Sequence, residues 1–286
     1  MREVFIGTEA LARGRLTRAS LRWNYRRLFP DVYVPAEAIL TLRERTTGAW
    51  LWSGRNAIVT GRAAAALHGA KWVGRTVPIE LIFRCGRPPP GIVARNERID
   101  ADEIAERAGL LVTTPQRTAL DLARHLPRDH AVASLDALAQ ATDVKAVDVL
   151  ALAQRYPGAR GIARAVTALS LMDGGAQSPR ETWLRLILVD EWRDPVRTQI
   201  KVDDGSQTSY LDMGYDEPMV GLEYEGAHHS QDRLTYVKDI GRAEFIERQG
   251  WHDIRVVSEH SAEFIKYRVG QAFERRGFRP RLRRRS

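Results

Sequence analysis

Residues 209–226 read SYLDMGYDEPMVGLEYEG, and this stretch decides the fold of the C-terminal part of the chain. Alternating apolar positions predict two short strands, at 209–214 and 219–224, joined by the tight turn 216–218. A third strand is predicted at 196–202, ahead of another Asp- and Gly-containing turn. With two tight connections, the three strands form an antiparallel meander.

Acidic residues concentrate on one patch of this meander. Period-two alternation places the apolar residues of the last strand on one face and Glu223 and Glu225 on the other. The neighbouring strand brings Asp212 close to Glu223. Carboxylates this close raise each other's pKa unless a cation or a proton joins them. Hard oxygen ligands suit Mg²⁺, so the pattern predicts a metal site, with a solvent-facing sheet that carries scattered acids as the alternative.

Polar residues also flank the meander. A helix is predicted over 178–192, where Ser178 and Glu181 have the spacing of a capping box, an ordinary structural role for that glutamate. His228 and His229 follow the last strand, either as phosphate donors or a general acid, or as exposed loop residues. The remaining elements predicted in this part are a helix at 232–248, a strand at 253–257 and a helix at 261–273.

The length and composition indicate a folded protein of about two domains. The chain has 286 residues, against roughly 150 for a typical domain. We see no apolar run near the roughly 18 residues of a membrane helix and no secretory signal. The single cysteine, Cys85, excludes an internal disulfide. We therefore expect a cytoplasmic protein without a membrane partner.

The formal net charge of +8 is distributed unevenly. Residues 178–274 hold 12 basic and 19 acidic residues, whereas 275–286 hold seven arginines and no acid. Basic patches are typical of proteins that bind a polyanion, because each neutralised phosphate releases counterions. The alternative is a genome that favours arginine, since only five of the 44 basic residues are lysines.

The arginines cluster most densely near the start of the chain. A short helix is predicted at 18–23 after the cap residue Thr17, and a hairpin follows with strands at 25–29 and 32–34. A helix followed by a basic hairpin is the winged-helix pattern, in which the helix enters the major groove of DNA. The alternative is a solvated basic helix beside an ordinary hairpin. The predicted DNA contacts are Arg13, Arg15, Arg18, Arg22, Arg26 and Arg27.

The middle of the chain carries packing signals. Helices are predicted at 60–68 and from Thr114 onward, with strands between them. His68 and His125 are interpreted as structural or exposed residues, because no second ligand type stands at metal-binding spacing. Gly174 and Gly175 mark the best linker, and we expect a domain boundary there.

Three stretches of the front half carry a family resemblance. They are Asp31–Val34, Thr60–Gly69 and Thr113–Ala123. Together with the arginine-rich helix, they resemble the antitoxins of the abortive-infection type IV toxin–antitoxin systems over about residues 1–170. The resemblance implies a winged-helix reader of the operon's own promoter and a cognate toxin as a partner.

The back half resembles a different family. The order of Ser178–Glu181, Leu211–Asp212, Leu222–Gly226, the paired histidines, Asp239, Arg242 and Gly250–Trp251 is similar to the domain of unknown function related to very-short-patch-repair (Vsr) endonucleases, in the PD-(D/E)XK superfamily. The resemblance implies a Mg²⁺ or Mn²⁺ ion held by Asp212 and Glu223. Glu225 stands where the superfamily often has lysine. The residues to which the resemblance assigns catalysis are Glu181, Asp212, Glu223, Glu225 and His228.

These inferences predict an α/β fold, α+β overall, with four regions. They are a winged-helix region at 1–60, a mostly helical α/β domain at 61–175, a restriction-endonuclease-like domain with a mixed sheet at 176–274, and a disordered basic tail at 275–286 that adds phosphate contacts. Two functions remain open. The first is a Mg²⁺-dependent DNA endonuclease. The second is an antitoxin-like transcriptional regulator whose nuclease fold no longer cleaves and serves for homodimerisation or toxin contact.

Overall fold

The computed structural model describes residues 4–226 and 233–283, and the chain divides into two compact units between Gly174 and Gly175. The α+β fold class is confirmed: helices alternate with one antiparallel and two mixed sheets. No helix within the described residues is long and apolar enough to span a membrane. His228 and His229 lie outside the described residues.

The first unit begins with a helix pair and a small antiparallel sheet of order β1-β3-β2. The side chain of Thr17 caps the second helix by accepting the N–H of Ser20, as its position in the sequence predicts. The hairpin turns at Asp31, which has a φ of 59°. The elements are β1 (Phe5–Ile6), α1 (Gly7–Ala12), α2 (Arg18–Asn24), β2 (Tyr25–Phe29) and β3 (Val32–Pro35).

A five-stranded mixed sheet of order β6-β5-β4-β8-β7 forms the rest of the first unit with its helices. Its strands are β4 (Ile58–Thr60), β5 (Ile79–Ile82), β6 (Ile92–Arg95), β7 (Ile104–Arg107) and β8 (Leu110–Thr113). Its helices are α3 (Leu42–Trp52), α4 (Gly61–Leu67), α5 (Pro115–His125), α6 (Arg128–Thr142), α7 (Ala146–Ala153) and α8 (Ile162–Leu169), and a short 3-10 helix covers Ala101–Glu103.

One apolar cluster joins the two sheets of the first unit. Phe29 and Val32 of the hairpin pack in the same buried cluster as Ala49 of α3 and Val59 of β4. The predicted division at residue 60 falls inside this cluster. The hairpin therefore stands on the same hydrophobic core as the five-stranded sheet, which fixes its position relative to that sheet.

The second unit contains a four-stranded mixed sheet of order β12-β11-β10-β9. The first three strands along the chain form the antiparallel meander expected from the alternation, and β12 adds in parallel after a helical crossover. The elements are α9 (Pro179–Glu191), β9 (Arg197–Asp203), β10 (Thr208–Tyr215), β11 (Val220–Tyr224), α10 (Arg233–Arg248), β12 (His252–Val256) and α11 (Ala262–Arg275).

Helices cover both faces of this sheet. Leu222 packs in a cluster with residues of α9 and α11, such as Leu188 and Ile265. Leu211 packs in a second cluster with Phe245 of α10. Because helices cover both faces, an acid on the middle strands loses much of its contact with water.

The basic tail is ordered in its described part. The rings of Phe273 and Phe278 lie 5.1 Å apart, and Leu282 forms an antiparallel bridge with Trp192. The N–H of Arg281 donates to the Asp194 carboxylate at 2.7 Å. The prediction of a disordered tail is therefore wrong for residues 275–283, because Phe278 packs on the core of the second unit and the backbone of Arg281 and Arg283 pairs with that of Arg193 and Glu191. Residues 284–286 lie outside the described part.

Candidate functional site

A pocket of about 200 Å³ lies where the strands of the second unit meet α10. Strands β10, β11 and β12 and the helix each contribute charged side chains to it. Its wall combines acids with guanidinium groups, which is an arrangement typical of sites that bind ions or phosphate groups. The lining residues are Asp212, Glu223, Tyr224, Glu225, Asp239, Arg242 and Arg255.

Asp212 is placed by the adjoining strand. Its Oδ2 accepts the backbone N–H of Tyr224 at 2.8 Å, so the carboxylate lies against β11. The pKa of Asp212 is raised to about 6, chiefly by burial and also by the charge of Glu181, although the Tyr224 N–H and Arg242 favour the charged form. The structure thus brings Asp212 into one pocket with Glu223 and within electrostatic reach of Glu181.

Glu223 is 6% exposed and is held by Arg242 from α10. The guanidinium donates to both carboxylate oxygens, with Nη1 at 2.6 Å from Oε2 and a short contact from Nη2 to Oε1. The same guanidinium donates to Ser209 Oγ at 2.9 Å and to the carbonyl oxygen of Tyr210. Burial raises the pKa of Glu223 and Arg242 lowers it. The spacing of Asp239 and Arg242 along the helix is typical of an ordinary surface ion pair. In the structure, Arg242 instead bonds Glu223, Ser209 and Tyr210.

A second arginine reaches the pocket from β12. Because β12 runs parallel to β11 with Arg255 opposite Glu223, its side chain lies beside the acidic strand. Its Nη1 donates to Glu225 Oε1 at 2.8 Å. The charge of Glu225 is therefore balanced by Arg255. Sequence reasoning missed Arg255, since the register of a parallel pair with a helical crossover is not visible in the sequence.

Asp253, on the same strand, is a further acid that sequence reasoning missed. Its Oδ1 is buried and has no hydrogen-bond partner among the described residues. Burial raises the pKa of Asp253, and the charge of Glu223 raises it further, against the opposing effect of Arg255 and Arg242. Asp253, Glu223 and Asp212 thus lie on three adjacent strands. Acids this close are stabilised when one of them is protonated or when a cation binds between them.

Glu181 is buried and has a local structural role. Ser178 Oγ accepts the Glu181 N–H at 3.2 Å, as the capping pattern predicts. The Glu181 carboxylate, however, accepts the N–H of Gln177 at 2.8 Å, one residue before the cap. Among the described residues, the groups of three ligands within 4.8 Å of one another lie in the first unit, and none contains Asp212, Glu223 or Glu181. Asp212, Glu223 and Glu181 are therefore neighbours, but their carboxylate oxygens do not come close enough to form a three-ligand metal site.

Those closely spaced groups belong to a network around Arg117, which is 1% exposed. Its Nη1 donates to Glu103 Oε2 at 2.6 Å, and its Nε lies 3.1 Å from both oxygens of Asp121. Asp121 also accepts from Thr60 Oγ1 at 2.7 Å. Burial raises the pKa of Asp121, while Arg117 and Thr60 stabilise its charged form. The i,i+4 spacing of Arg117 and Asp121 was a signal for this pair that sequence reasoning did not use.

The same network includes Glu97 and His125. His125 Nε2 lies 3.0 Å from Glu97 Oε1, and Arg124 Nη1 lies 2.7 Å from Glu97 Oε2. Burial alone would raise the pKa of Glu97, but His125 and Arg124 outweigh it and hold the pKa at about 2. Guanidinium groups already occupy these carboxylates, so the network has the character of an internal structural element.

The predicted DNA contacts all lie on the surface of the first unit. Arg26 uses its guanidinium to hold the carbonyl oxygens of Ala36 and Ala38, at 3.2 and 2.9 Å, after the hairpin. Arg13 lies 3.8 Å from Glu9. The others are exposed and form no ion pair with a described residue, and they are Arg15, Arg18, Arg22 and Arg27.

Comparison with known proteins places the antitoxin resemblance on the first unit. Two similar proteins come from Mycobacterium tuberculosis, the uncharacterized protein MT2308 of strain CDC 1551 / Oshkosh and the uncharacterized protein Rv2248 of strain ATCC 25618 / H37Rv. Each is 26% identical over 235 residues, which cover 81% of this chain and 84% of the relative. Residues 56–174, which include the Arg117 network, match the model of the AbiEi antitoxin C-terminal domain, and this match confirms the antitoxin-like part of the resemblance.

Proposed function

We propose that the protein is a DNA-binding transcriptional regulator of the toxin–antitoxin type. The observation that carries this proposal is a set of exposed arginines that no described acid neutralises: Arg15 ahead of α2, Arg18 and Arg22 on α2, and Arg27 on the hairpin. The antitoxin match over residues 56–174 supports it, because the same unit carries both features.

The arrangement is suited to duplex DNA. Helix α2 has no fully buried residue and presents its arginines to solvent, while the hairpin next to it adds Arg27. A helix in the major groove and a hairpin on the backbone would let these guanidinium groups contact phosphates on both sides of the groove. Because each phosphate contact releases counterions, binding should weaken steeply as the salt concentration rises.

The test is a fluorescence anisotropy titration with a duplex from the region upstream of the protein's own coding sequence, beside a scrambled duplex of equal length. Each of Arg18→Ala and Arg22→Ala should weaken binding and reduce the slope of log K against log salt by about 1. Arg107→Ala, at an exposed arginine on β7, is the control and should leave the slope unchanged. Binding that is independent of salt, or a control that behaves like the other variants, would contradict the proposal.

We further propose that the regulator acts together with a cognate toxin and as a homodimer. The antitoxin match supports the expectation of a toxin partner. The homodimer is expected because the regulatory interpretation gives the second unit a role in dimerisation. Co-expression with the protein encoded next to it should relieve growth arrest by that protein, and light scattering during gel filtration should give twice the chain mass. Unrelieved arrest contradicts the first expectation, and a monomer contradicts the second.

A second candidate function is a DNA endonuclease of the Vsr-like type that depends on Mg²⁺ or Mn²⁺. The observation in its favour is Asp212, which is largely buried next to Glu181 and Glu223 and whose pKa is raised to about 6. The oxygen donors fit such an ion in type, with Asp212 and Glu223 as ligands. Both Glu223 oxygens are bound by Arg242, so this guanidinium must move before Glu223 can act as a ligand.

When bound, the ion would polarise a scissile phosphate and lower the pKa of its water. The chain's own residues supply the surroundings: Arg255 balances Glu225, and Arg242 is available to a phosphate oxygen once it leaves Glu223. Glu181 lies within electrostatic reach of Asp212. His228, predicted as a phosphate donor or a general acid or else as an exposed loop residue, lies outside the described residues.

The test is incubation with supercoiled plasmid in Mg²⁺ or Mn²⁺. Asp212→Asn and Glu223→Gln should each abolish cleavage, whereas Asp216→Asn, at an exposed turn, should cleave like the unaltered protein. Cleavage that survives both pocket substitutions would contradict the assignment of this pocket. No cleavage by the unaltered protein would leave regulation as the function of the chain.

A further inference from the structure

Helix α2 exposes a large aromatic side chain among its arginines. Trp23 is 76% exposed, although an indole offers one of the largest apolar surfaces of any side chain for burial. The other exposed residues of the helix are Arg18, Ala19, Arg22 and Asn24. Arg18 and Arg22 are four residues apart, as are Ala19 and Trp23, so two neighbouring i,i+4 rows place the indole and both guanidinium groups on one exposed face of the helix.

The surroundings of the ring leave its apolar surface available. The guanidinium carbon of Arg22 lies 5.7 Å from the ring centroid, a cation–π contact that restricts the orientation of both side chains. Ala19 lies one turn earlier on the same side and has only a methyl group, so space remains beside the ring. A flat apolar group bordered by positive charges is complementary to a surface that is itself apolar in places and bordered by phosphates.

Duplex DNA has that surface in its major groove. Arginine contacts to phosphates position a protein on DNA but carry little sequence information, whereas apolar contacts with the 5-methyl group of thymine distinguish it from the other bases. We propose that Trp23 is a specificity-determining residue that packs on a thymine methyl group while Arg18 and Arg22 bind the flanking phosphates. This inference rests on the proposed DNA binding and names the group that reads sequence.

The experiment begins with a duplex selected by the full-length protein from a randomised library. Binding is then measured by anisotropy to this duplex and to a copy in which uracil replaces every thymine, a change that removes only the methyl groups. The unaltered protein should lose about tenfold in affinity on the uracil duplex, within the usual range for one lost base contact. Trp23→Ala should bind the thymine duplex about tenfold more weakly and should not distinguish the two duplexes.

Controls separate this role from structural effects. Trp23→Phe should keep most of the preference for thymine, and Trp72→Ala, at another exposed tryptophan of the same unit, should keep all of it. The salt slope of Trp23→Ala should equal that of the unaltered protein, because the indole neutralises no phosphate. Its thermal unfolding temperature should also be unchanged, since the side chain is mostly exposed.

The outcomes distinguish this inference from the proposed function. If the unaltered protein binds no duplex in a salt-dependent way, the proposed DNA binding itself fails. If it binds but Trp23→Ala has the same affinity and the same thymine preference, only the role of Trp23 is overturned. A change in oligomeric state on Trp23→Ala, with DNA binding unaltered, would assign the ring to a protein contact and overturn the role as well.

Discussion

The two units both bury acidic side chains, but they balance the charges differently. In the first unit, Asp121 is bonded by Arg117, Arg124 and Thr60. In the second unit, no guanidinium among the described residues bonds Asp212, and one oxygen of Asp253 is buried without a hydrogen-bond partner. The pKa of Glu97 in the first network is held at about 2, whereas the pKa of Asp212 is raised to about 6.

The difference separates a structural network from a site that can bind a ligand. A buried carboxylate with a full set of donors is already satisfied, and breaking its ion pairs costs stability. A buried carboxylate that lacks donors is stabilised by a proton or a cation, and such residues cluster at functional sites. Burial of a carboxylate alone does not identify a ligand-binding site. The number of carboxylate oxygens that lack a hydrogen-bond donor does.

The strongest way to break the comparison is Arg117→Met. Loss of this guanidinium leaves Asp121 and Glu103 buried without a main partner, and we expect the free energy of unfolding to fall by about 3 to 5 kcal/mol. Urea unfolding of the full chain measures this loss. Arg43→Met, at an exposed position of α3, should change it by less than about 0.5 kcal/mol. Similar losses of stability in the two variants would show that the ion pairs of Arg117 do not stabilise the fold.

The pH dependence of stability tests the raised pKa of Asp212 in the second unit. Asp212 has a pKa of about 6 in the folded protein and about 4 when unfolded, so its protonated form favours folding. This contribution is fully present below about pH 4 and is lost as the pH rises to about 6, by roughly 2 kcal/mol after allowance for partial solvent exposure.

Asp212→Asn removes this titration. Compared with the unaltered protein, the variant should therefore gain stability between about pH 4 and 6 and keep that gain at higher pH. Urea unfolding at several pH values, taken as the difference between the two proteins, isolates Asp212 from acids such as Glu97 that act in the opposite direction. A difference that does not vary with pH would contradict the raised pKa.

Arg242→Met tests whether this arginine competes with a divalent ion for Glu223. Without the guanidinium fork, both carboxylate oxygens become available, and we expect Mn²⁺ to bind about tenfold more tightly in calorimetric titration. Arg197→Met, which removes an exposed pair with Asp216, is the matched control and should leave the affinity unchanged. An unaltered Mn²⁺ affinity in Arg242→Met would show that Arg242 does not compete with the ion for Glu223.

The smallest effect is expected for Arg281→Ala in the docked tail. Its side chain is 69% exposed, and its Nε lies 3.0 Å from Asp194 Oδ1. An exposed pair of this kind contributes about 0 to 1 kcal/mol, so the unfolding temperature should fall by no more than a few degrees. A larger loss would mean that the side chain, and not the backbone hydrogen bonds of the tail, fixes this segment.

What the sequence predicted correctly depends on local signals. Alternation and turn residues were sufficient for the meander, and the Thr17 cap was sufficient for α2. The register that brings Arg255 to Glu225 depends on a parallel pairing with a distant strand, which no local pattern encodes. The tail was predicted to be disordered from its charge alone, whereas packing of Phe278 and backbone pairing near Leu282 dock it.

The helical crossover between β11 and β12 also has a consequence for synthesis of the chain. Asp212 and Glu223 leave the ribosome before Arg242, and Arg255 leaves it last of these four. Until α10 and β12 are translated, Glu223 and Glu225 lack the guanidinium groups of Arg242 and Arg255 that pair with them. Closure of the sheet in the second unit therefore has to wait until the chain is translated through β12, which makes formation of the pocket a late event in cotranslational folding.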